Sequence, residues 1–162
     1  MDKPKKTLEQ LIRQHLQTGR MMQVATVKGD QPWCCTVYYI FDASLNLYWI
    51  SLPERRHSQE IHGHTKAAAA IPIKHTPGKA VVGLSVEGEA ILVTDMAETK
   101  AAARLYADRY QRNKQWYRDF IAGKTNHKLY RLKPRSFVLF DEEVNPKDPR
   151  QEWKLKTGGE DL

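Results

Sequence analysis

Short segments of alternating or continuous apolar residues predict that this chain is built mainly of β-strands. The longest such segment runs from Trp33 to Phe41 and contains only apolar, aromatic and β-branched residues. A polar turn over 42–46 and a second apolar segment, Leu47 to Ile50, complete a predicted hairpin. Both faces of the first strand are apolar, so we expect a small barrel whose outer wall is also covered, by a subunit or a ligand.

Four further segments have the residue pattern of strands and are separated by turn residues. They are Met21 to Lys28, Ala67 to Ile73, Val81 to Thr94 and Lys128 to Asp141. The turn at 29–32 returns the first of them to the central hairpin, which predicts three strands in meander order. Gly88 predicts a bulge or bend, and Pro134 predicts an interruption of the last strand.

Four helices are predicted from capping residues and from apolar residues spaced three or four apart. They begin after the capping box of Thr7 and Gln10, near Ser58, after the cap of Asp95 and Glu98, and at Trp116. Together the segments indicate one domain over 1–141, a mainly β (α+β) antiparallel barrel with peripheral helices. The segment 142–162 contains prolines and many charges, and we expect it to be a mobile tail.

The apolar segments and the cysteines of the chain bear on its cellular location and on whether it forms a disulfide. No segment approaches the roughly 20 apolar residues of a membrane span, and the N-terminus has no signal-peptide core, which favours a cytoplasmic protein without membrane contact. The two cysteines, Cys34 and Cys35, are adjacent in a strand and point to opposite faces. A disulfide between them is geometrically poor, so both are expected to be packing thiols.

The net charge of +7 is unevenly distributed. The segment Lys100 to Arg135 holds eleven lysines and arginines against two aspartates, interleaved with aromatic residues. Such a segment is compatible with nucleic acid, an anionic cofactor or simple solubility. An exposed basic helix is more often a solvated surface, so recognition of nucleic acid is the least favoured of these interpretations.

A candidate anion site follows the second strand of the central hairpin. Ser51 ends this strand, and a predicted helix begins beside Arg55, Arg56 and His57, so that a hydroxyl, cations and a helix N-terminus lie close together. The alternative is an ordinary helix entry with surface arginines. His57, His62 and His64 do not have the spacing of common zinc sites, which argues against a metal.

The order of these segments resembles a known family. Six segments in this order are similar to the pyridoxamine 5'-phosphate oxidase-like, FMN-binding split-barrel family. They are MQVATV, CTVYYIFDA, LYWIS, RRHSQEI, AAAAIPI and GLSVEGEAILV. A small bacterial branch of that family is resembled by the shorter motifs FDA, RHSQ, VEGEA and YADRY. The resemblance covers about Met21 to Asp141. It implies a six- to seven-stranded antiparallel split β-barrel that forms a homodimer with flavin sites at the interface.

The resemblance also implies which residues bind the cofactor. Ser51 takes the position of a Thr or Ser that binds the flavin phosphate in the family. Arg56 takes the position of a phosphate-binding arginine, and His57 takes the position of a phosphate-binding lysine. Further candidate contacts are Arg55, Ser58, Thr36 and Tyr38. The oxidases proper have cations on the preceding strand, whereas this chain has Ile40 and no cation in 33–39, and Gly83 replaces a glutamine. These departures argue against the vitamin-processing reaction itself.

The resulting hypothesis is a flavin-binding protein with FMN as cofactor, and an oxidoreductase activity in which the flavin carries the electrons. The alternatives are a split-barrel protein that binds haem or a deazaflavin, a split-barrel protein without a cofactor, and a basic nucleic-acid-binding module. No catalytic residue can be named, because the flavin would need none that the sequence reveals.

Overall fold

The structure is a computed structural model that describes residues 6–155. It contains four helices, α1 (Leu8–Thr18), α2 (Arg56–Gly63), α3 (Met96–Arg109) and α4 (Lys114–Ile121). Its strands are β1 (Met21–Lys28), β2 (Gln31–Tyr38), β3 (Ile40–Phe41), β4 (Leu47–Ser51), β5 (Lys66–Lys74), β6 (Val82–Leu92), β7 (Lys128–Asp141) and β8 (Arg150–Lys154). All four predicted helices are present.

The strands form one antiparallel sheet in the order β2-β1-β5-β6-β7-β4-β3, and β8 pairs with β7. The inner face of this curled sheet is covered by α1, whose start is fixed by the predicted capping box between Thr7 and Gln10. The largest side chains of this core are fully buried. They include Trp49, Tyr39, Tyr130, Phe137, Ile12, Leu16 and Met22. A second cluster packs α3 and α4 against β3 and β4 around Tyr106 and Phe120.

The predicted central strand is divided at Tyr39. β2 pairs with β1 along its whole length, whereas β3 pairs only with β4, so the predicted meander of three strands is wrong. The division is caused by Tyr39, because its side chain is buried and its hydroxyl donates to the Leu16 carbonyl at 2.8 Å. The Tyr110 hydroxyl accepts from the Tyr39 amide, which takes that amide out of the ladder.

β2 presents the face that the sequence predicts a subunit or a ligand to cover. Its outer face is largely exposed in a single chain, and Tyr38 retains 51% of its accessible surface. In the single chain Cys34 is exposed and Cys35 is half-buried, and Cys34 lies on the face that the predicted subunit or ligand would cover.

The long pair β6 and β7 contains the predicted irregularity. The register shifts between Glu87 and Gly88, where β7 accommodates one extra residue, Arg135. Pro134 pairs with Gly88 beside this bulge, and β7 continues through it, so the predicted interruption at Pro134 is wrong. A bulge tolerates proline because ladder hydrogen bonding is already locally disrupted there.

The expected tail contains an additional strand. Ser136–Phe140 of β7 pairs with Arg150–Lys154, so β8 is not part of a loose tail, and residues 156–162 lie outside the described part of the chain. Trp153 stacks on Phe137 at 6.3 Å between ring centroids, which fixes β8 to the core. Across residues 6–155, none of the helices combines the length and apolar character that crossing a bilayer requires.

Candidate functional site

Ser51 and His57 form a buried polar pair at the end of β4. The Ser51 Oγ and the His57 Nε2 are 2.8 Å apart and share a hydrogen bond. β4 ends at Ser51, and the turn that follows is closed by a hydrogen bond from the Arg55 amide to the Leu52 carbonyl at 3.1 Å. This turn reverses the chain, so the first turn of α2 brings His57 back beside the strand that it follows.

These two residues form the floor of an open depression of about 310 Å³, which we call the Ser51 pocket. The guanidinium-bearing Arg55, at the N-cap of α2, lies at its margin together with the backbone of Leu52. Thr36 and Tyr38 of β2 contribute a wall that continues onto the exposed outer face of the sheet. The remaining lining residues come from β1, β2, β4, α3 and the loop before β7. They are Met21, Val37, Ile50, Tyr106 and His127.

Aromatic rings support one side of the Ser51 pocket. Tyr106 packs against Tyr110 with a centroid separation of 4.6 Å, and Tyr110 packs against Tyr38 at 5.1 Å. Trp116 of α4 stacks on Tyr106 at 5.6 Å from behind. The Tyr106 side chain is therefore held in one orientation, and its ring is a fixed part of the wall.

The environment of His57 favours the neutral imidazole. Burial lowers the pKa of His57 from its ordinary value of 6.5, and the positive charge of Arg55 lowers it further, while Glu60 opposes the change. An anion placed between Arg55 and His57 would reverse this balance, because a negative charge stabilises the imidazolium form.

The structure separates Arg56 from the other candidate residues. The Arg56 Nε donates to the Glu60 Oε1 at 2.7 Å, and its guanidinium lies 4.3 Å from the centre of the Trp33 ring. It lines a different depression, together with Lys28 and Glu60. Glu60 is buried and also accepts from the Thr26 hydroxyl at 2.5 Å, so Arg56 neutralises a buried carboxylate.

Of the seven residues predicted to contact a cofactor, the Ser51 pocket brings together five. They are Ser51, Arg55, His57, Thr36 and Tyr38. Arg56 lines the neighbouring depression, and Ser58 is 2% exposed and lines neither of the two. The reason is helix phase, because consecutive residues in the first turn of α2 point about 100° apart.

Sequence reasoning did not identify Tyr106 and His127 as pocket residues. Tyr106 lies within the basic segment, and its burial among small residues of α3 is a helical pattern visible in sequence. His127 lies in the loop before β7, and no periodic pattern connects a loop residue to a site formed by other elements.

The donor set of the Ser51 pocket fits a phosphate-bearing aromatic cofactor. Its lining contains a hydroxyl, a guanidinium and an imidazole, and these are groups that commonly bind phosphate. The same lining contains the rings of Tyr38 and Tyr106. No cluster of three or more histidine, cysteine or acidic side chains that could hold a metal ion occurs within residues 6–155.

Comparison with known proteins identifies the relationship of this chain. The family model described as pyridoxamine 5'-phosphate oxidase matches residues 8–140. A conserved hypothetical protein from Mycobacterium tuberculosis superposes with a TM-score of 0.74 at 13% identity, covering 96% of this chain and 94% of that protein. The predicted split-barrel fold is thereby confirmed.

Two other solved structures share this fold and have described ligands. A haem-binding protein from Mycobacterium smegmatis has a TM-score of 0.73 at 14% identity, covering 93% of this chain and 59% of that one. An FAD-binding protein from Mesorhizobium loti has a TM-score of 0.63 at 17% identity, covering 82% and 92%. At these identities the likeness establishes the common fold, which accommodates either type of cofactor in other proteins.

Proposed function

The chain belongs to the pyridoxamine 5'-phosphate oxidase family, and from this premise we propose that it binds FMN in the Ser51 pocket. The observation that carries the proposal is that Ser51, Arg55 and His57 line one depression together with the aromatic residues Tyr38 and Tyr106. A phosphate needs the first three groups, and a flat ring system needs the aromatic wall. The FAD-binding relative shows that this fold can hold a flavin elsewhere.

In this proposal each residue has a defined part. The Ser51 hydroxyl and the Arg55 guanidinium donate hydrogen bonds to the phosphate, and His57 holds Ser51 in position and accepts a proton as the anion binds. Tyr106 and Tyr38 contact the ring. When bound, the flavin would supply the electron-transfer chemistry of an oxidoreductase, and the protein would bind and orient it.

The vitamin-processing reaction of the family's namesake is not part of the proposal. Ile40, at the position where the oxidases have a lysine, is 2% exposed in the cluster beneath α3 and presents no charge to the pocket. Gly83 lies on β6, which contributes no residue to the pocket lining. The chain therefore lacks charged groups with which those enzymes are expected to surround cofactor and substrate.

Two adjacent arginines provide a matched test. Arg55→Ala should weaken FMN binding roughly tenfold to a hundredfold, the effect of losing one charge-assisted contact, as measured by titration calorimetry. Arg56→Ala has the same charge change one residue away, and we expect it to leave FMN affinity nearly unchanged. It should instead lower stability, because Glu60 is left buried without its cation.

The opposite result is equally informative. If Arg56→Ala weakens FMN binding and Arg55→Ala does not, the arginine implied by the family resemblance binds the phosphate, and the structure-based assignment is wrong. If neither substitution changes a measurable affinity, the Ser51 pocket is not the flavin site.

Haem is the second candidate, and two histidines in the pocket lining favour it. The His57 Nε2 is already engaged by Ser51, so His127, which is exposed, would be the available ligand. Protein purified from cells distinguishes the two cofactors by its visible spectrum, since a flavin absorbs in the blue and haem gives an intense Soret band.

We also propose that the functional unit is a homodimer. The outer face of the sheet carries small side chains around a depression of about 410 Å³ that includes Ala25, Cys34 and Ala70. Thr36 and Tyr38 lie on the same face of β2 as Cys34 and also line the Ser51 pocket. A second copy placed on this face would therefore enclose the cofactor as well as cover the strand.

A further inference from the structure

A second pocket, formed between α3 and α4, is separate from the Ser51 pocket. It has a volume of about 360 Å³, and the two pockets share no lining residue. Four of its lining residues are cations, and one is an acid, Asp108. The cations are Arg104, Arg112, Lys114 and Arg118.

None of these four cations forms an ion pair with a carboxylate among residues 6–155. By contrast, Lys124 beyond α4 lies 3.5 Å from Asp119, and Arg131 lies 2.6 Å from Glu98. Gathering unpaired like charges around one concavity is unfavourable in the free protein. An anion in the pocket removes that repulsion.

The walls of the pocket are rigid. Its apolar base includes Tyr117, whose ring faces the Arg104 guanidinium at 5.2 Å. The connection between the helices is fixed by Asn113, whose side chain accepts from the Trp116 amide at 2.8 Å. Trp116 of α4 stacks on Tyr106 of α3 at 5.6 Å between ring centroids, and Phe120 of α4 is buried in the cluster beneath the two helices, so α4 is packed against α3. The cations are thus presented in a defined arrangement.

The surface around this pocket favours a small ligand over a polymer. Arg109 is turned away and donates to the Leu16 and Gln17 carbonyls at 3.0 and 3.1 Å. Lys124 is paired with Asp119. Arg109 and Lys124 are therefore not available to extend the cationic lining, whereas a nucleic acid strand requires a groove that continues along its backbone.

We propose that the α3–α4 pocket binds a small molecule that carries a diphosphate group, such as a nucleoside diphosphate. Four cations and one acid give the lining a positive charge that matches the two or three negative charges of a diphosphate. That charge exceeds what a single carboxylate or phosphate ester would neutralise. Guanidinium groups hold phosphate oxygens in pairs, which suits three arginines around adjacent phosphates. The proposal does not depend on the flavin site.

Inorganic pyrophosphate is the probe, titrated by calorimetry into the full chain without divalent cations. Arg55→Ala serves as the parent protein, so that phosphate held in the Ser51 pocket does not contribute. We expect saturable binding at low salt, tighter than that of orthophosphate and weakened by added salt. Arg112→Ala or Arg118→Ala should weaken it about three- to tenfold, since the contacts are charge-assisted but solvent-exposed.

Two further variants make the test specific. Asp108→Asn should strengthen pyrophosphate binding, because it removes the one negative charge in the lining. Lys100 is an exposed cation on α3 outside the lining. Lys100→Ala has the same charge change as the arginine variants and should alter the affinity for pyrophosphate less than twofold. Equal effects of Lys100→Ala and Arg118→Ala, or no saturable binding, would refute the site. A single-stranded oligonucleotide whose stoichiometry increases with its length would show a polymer groove instead.

Discussion

His57 is the residue at which protonation, stability and ligand binding are connected. Its pKa is lowered in the folded protein by burial and by Arg55, whereas the unfolded chain has the ordinary value of 6.5. The unfolded state therefore binds a proton more readily than the folded state as pH falls below that value. Folding stability must decrease on acidification through the interval between the unfolded and the folded pKa.

This relation predicts the behaviour of a His57→Gln variant, which keeps a side chain able to bond with Ser51 but cannot titrate. The free energy of unfolding of the wild type, measured by urea denaturation, should fall between pH 7.5 and pH 5.5, and the variant should show a smaller fall. Titration of Glu60 does not contribute to this difference in the pH dependence of stability. Burial alone would raise the pKa of Glu60, but hydrogen bonds from Arg56 and Thr26 and nearby positive charges hold it below 4.5.

The same residue predicts how FMN binding responds to pH. A bound phosphate raises the pKa of His57, so binding should be accompanied by proton uptake and should be tighter at pH 6 than at pH 8. Calorimetry in buffers of different ionisation enthalpy measures this uptake directly. An affinity that is the same at both pH values would remove His57 from the phosphate site.

At the scale of single residues, sequence predicted five residues that the structure brings together in the Ser51 pocket, whereas Arg56 and Ser58 lie outside its lining. Ser51 and His57 were predicted together because a strand end and a helix start lie six residues apart. The choice between Arg55 and Arg56 depends on the exact first residue of α2, and helix boundaries are the least certain part of any sequence-based prediction.

Among the secondary-structure elements, β6 and β7 depend on a glycine at their bulge. A Cβ at residue 88 would overlap the Lys133 carbonyl oxygen and lie 2.9 Å from its carbonyl carbon, both of which are backbone atoms that cannot move aside easily. Gly88→Ala should therefore destabilise the protein by about 1–3 kcal/mol, the usual cost of overpacking, measured by thermal or urea denaturation.

Gly63→Ala is the matched control for this prediction. Gly63 is the last residue of α2, and an added Cβ there meets nothing within 4 Å. Alanine also favours helix more than glycine does, so this variant should be neutral or slightly more stable. If Gly88→Ala were equally well tolerated, the close approach of β6 and β7 at the bulge would not be a constraint on the sequence.

The elements that sequence predicted well are those with a clear period or a clear cap. β1 has its predicted bounds, and α3 begins directly after its predicted cap, since alternation and the Asp95 cap are local signals. β8 was missed because its sequence, RQEWK, contains one large apolar residue and no alternation. The division at Tyr39 was missed because it is caused by α1, a distant contact that no local pattern records.

For the whole molecule, the proposed dimer gives a direct test. Ala70→Arg places a long charged side chain on the exposed outer face of β5, where a second copy is proposed to pack, and should convert the dimer to a monomer. Light scattering at micromolar concentration measures this change. An obligate interface of the expected kind buries more than about 2,000 Å² in total. A charge at its centre would be buried on association, and the cost of that burial should be enough to separate the two copies.

The control for the dimer is Ala101→Arg, which adds the same charge at an exposed position of α3 and should leave the mass unchanged. A monomeric wild type under these conditions would contradict the dimer outright. The exposed apolar groups on β2 would then require another covering partner.

The position of β7 in the sheet determines when the fold can be completed during synthesis. β4 is hydrogen-bonded to the two-residue strand β3 on one edge and to β7 on the other, and β7 is made only after all four helices have been translated. A hairpin as short as β3 and β4 is not stable alone. Trp49, fully buried in the finished protein, therefore belongs to an open strand edge on the nascent chain, and contacts of such long sequence separation form slowly. While residues 128–141 are still in the ribosome, this edge is accessible to chaperones or to another unfinished copy.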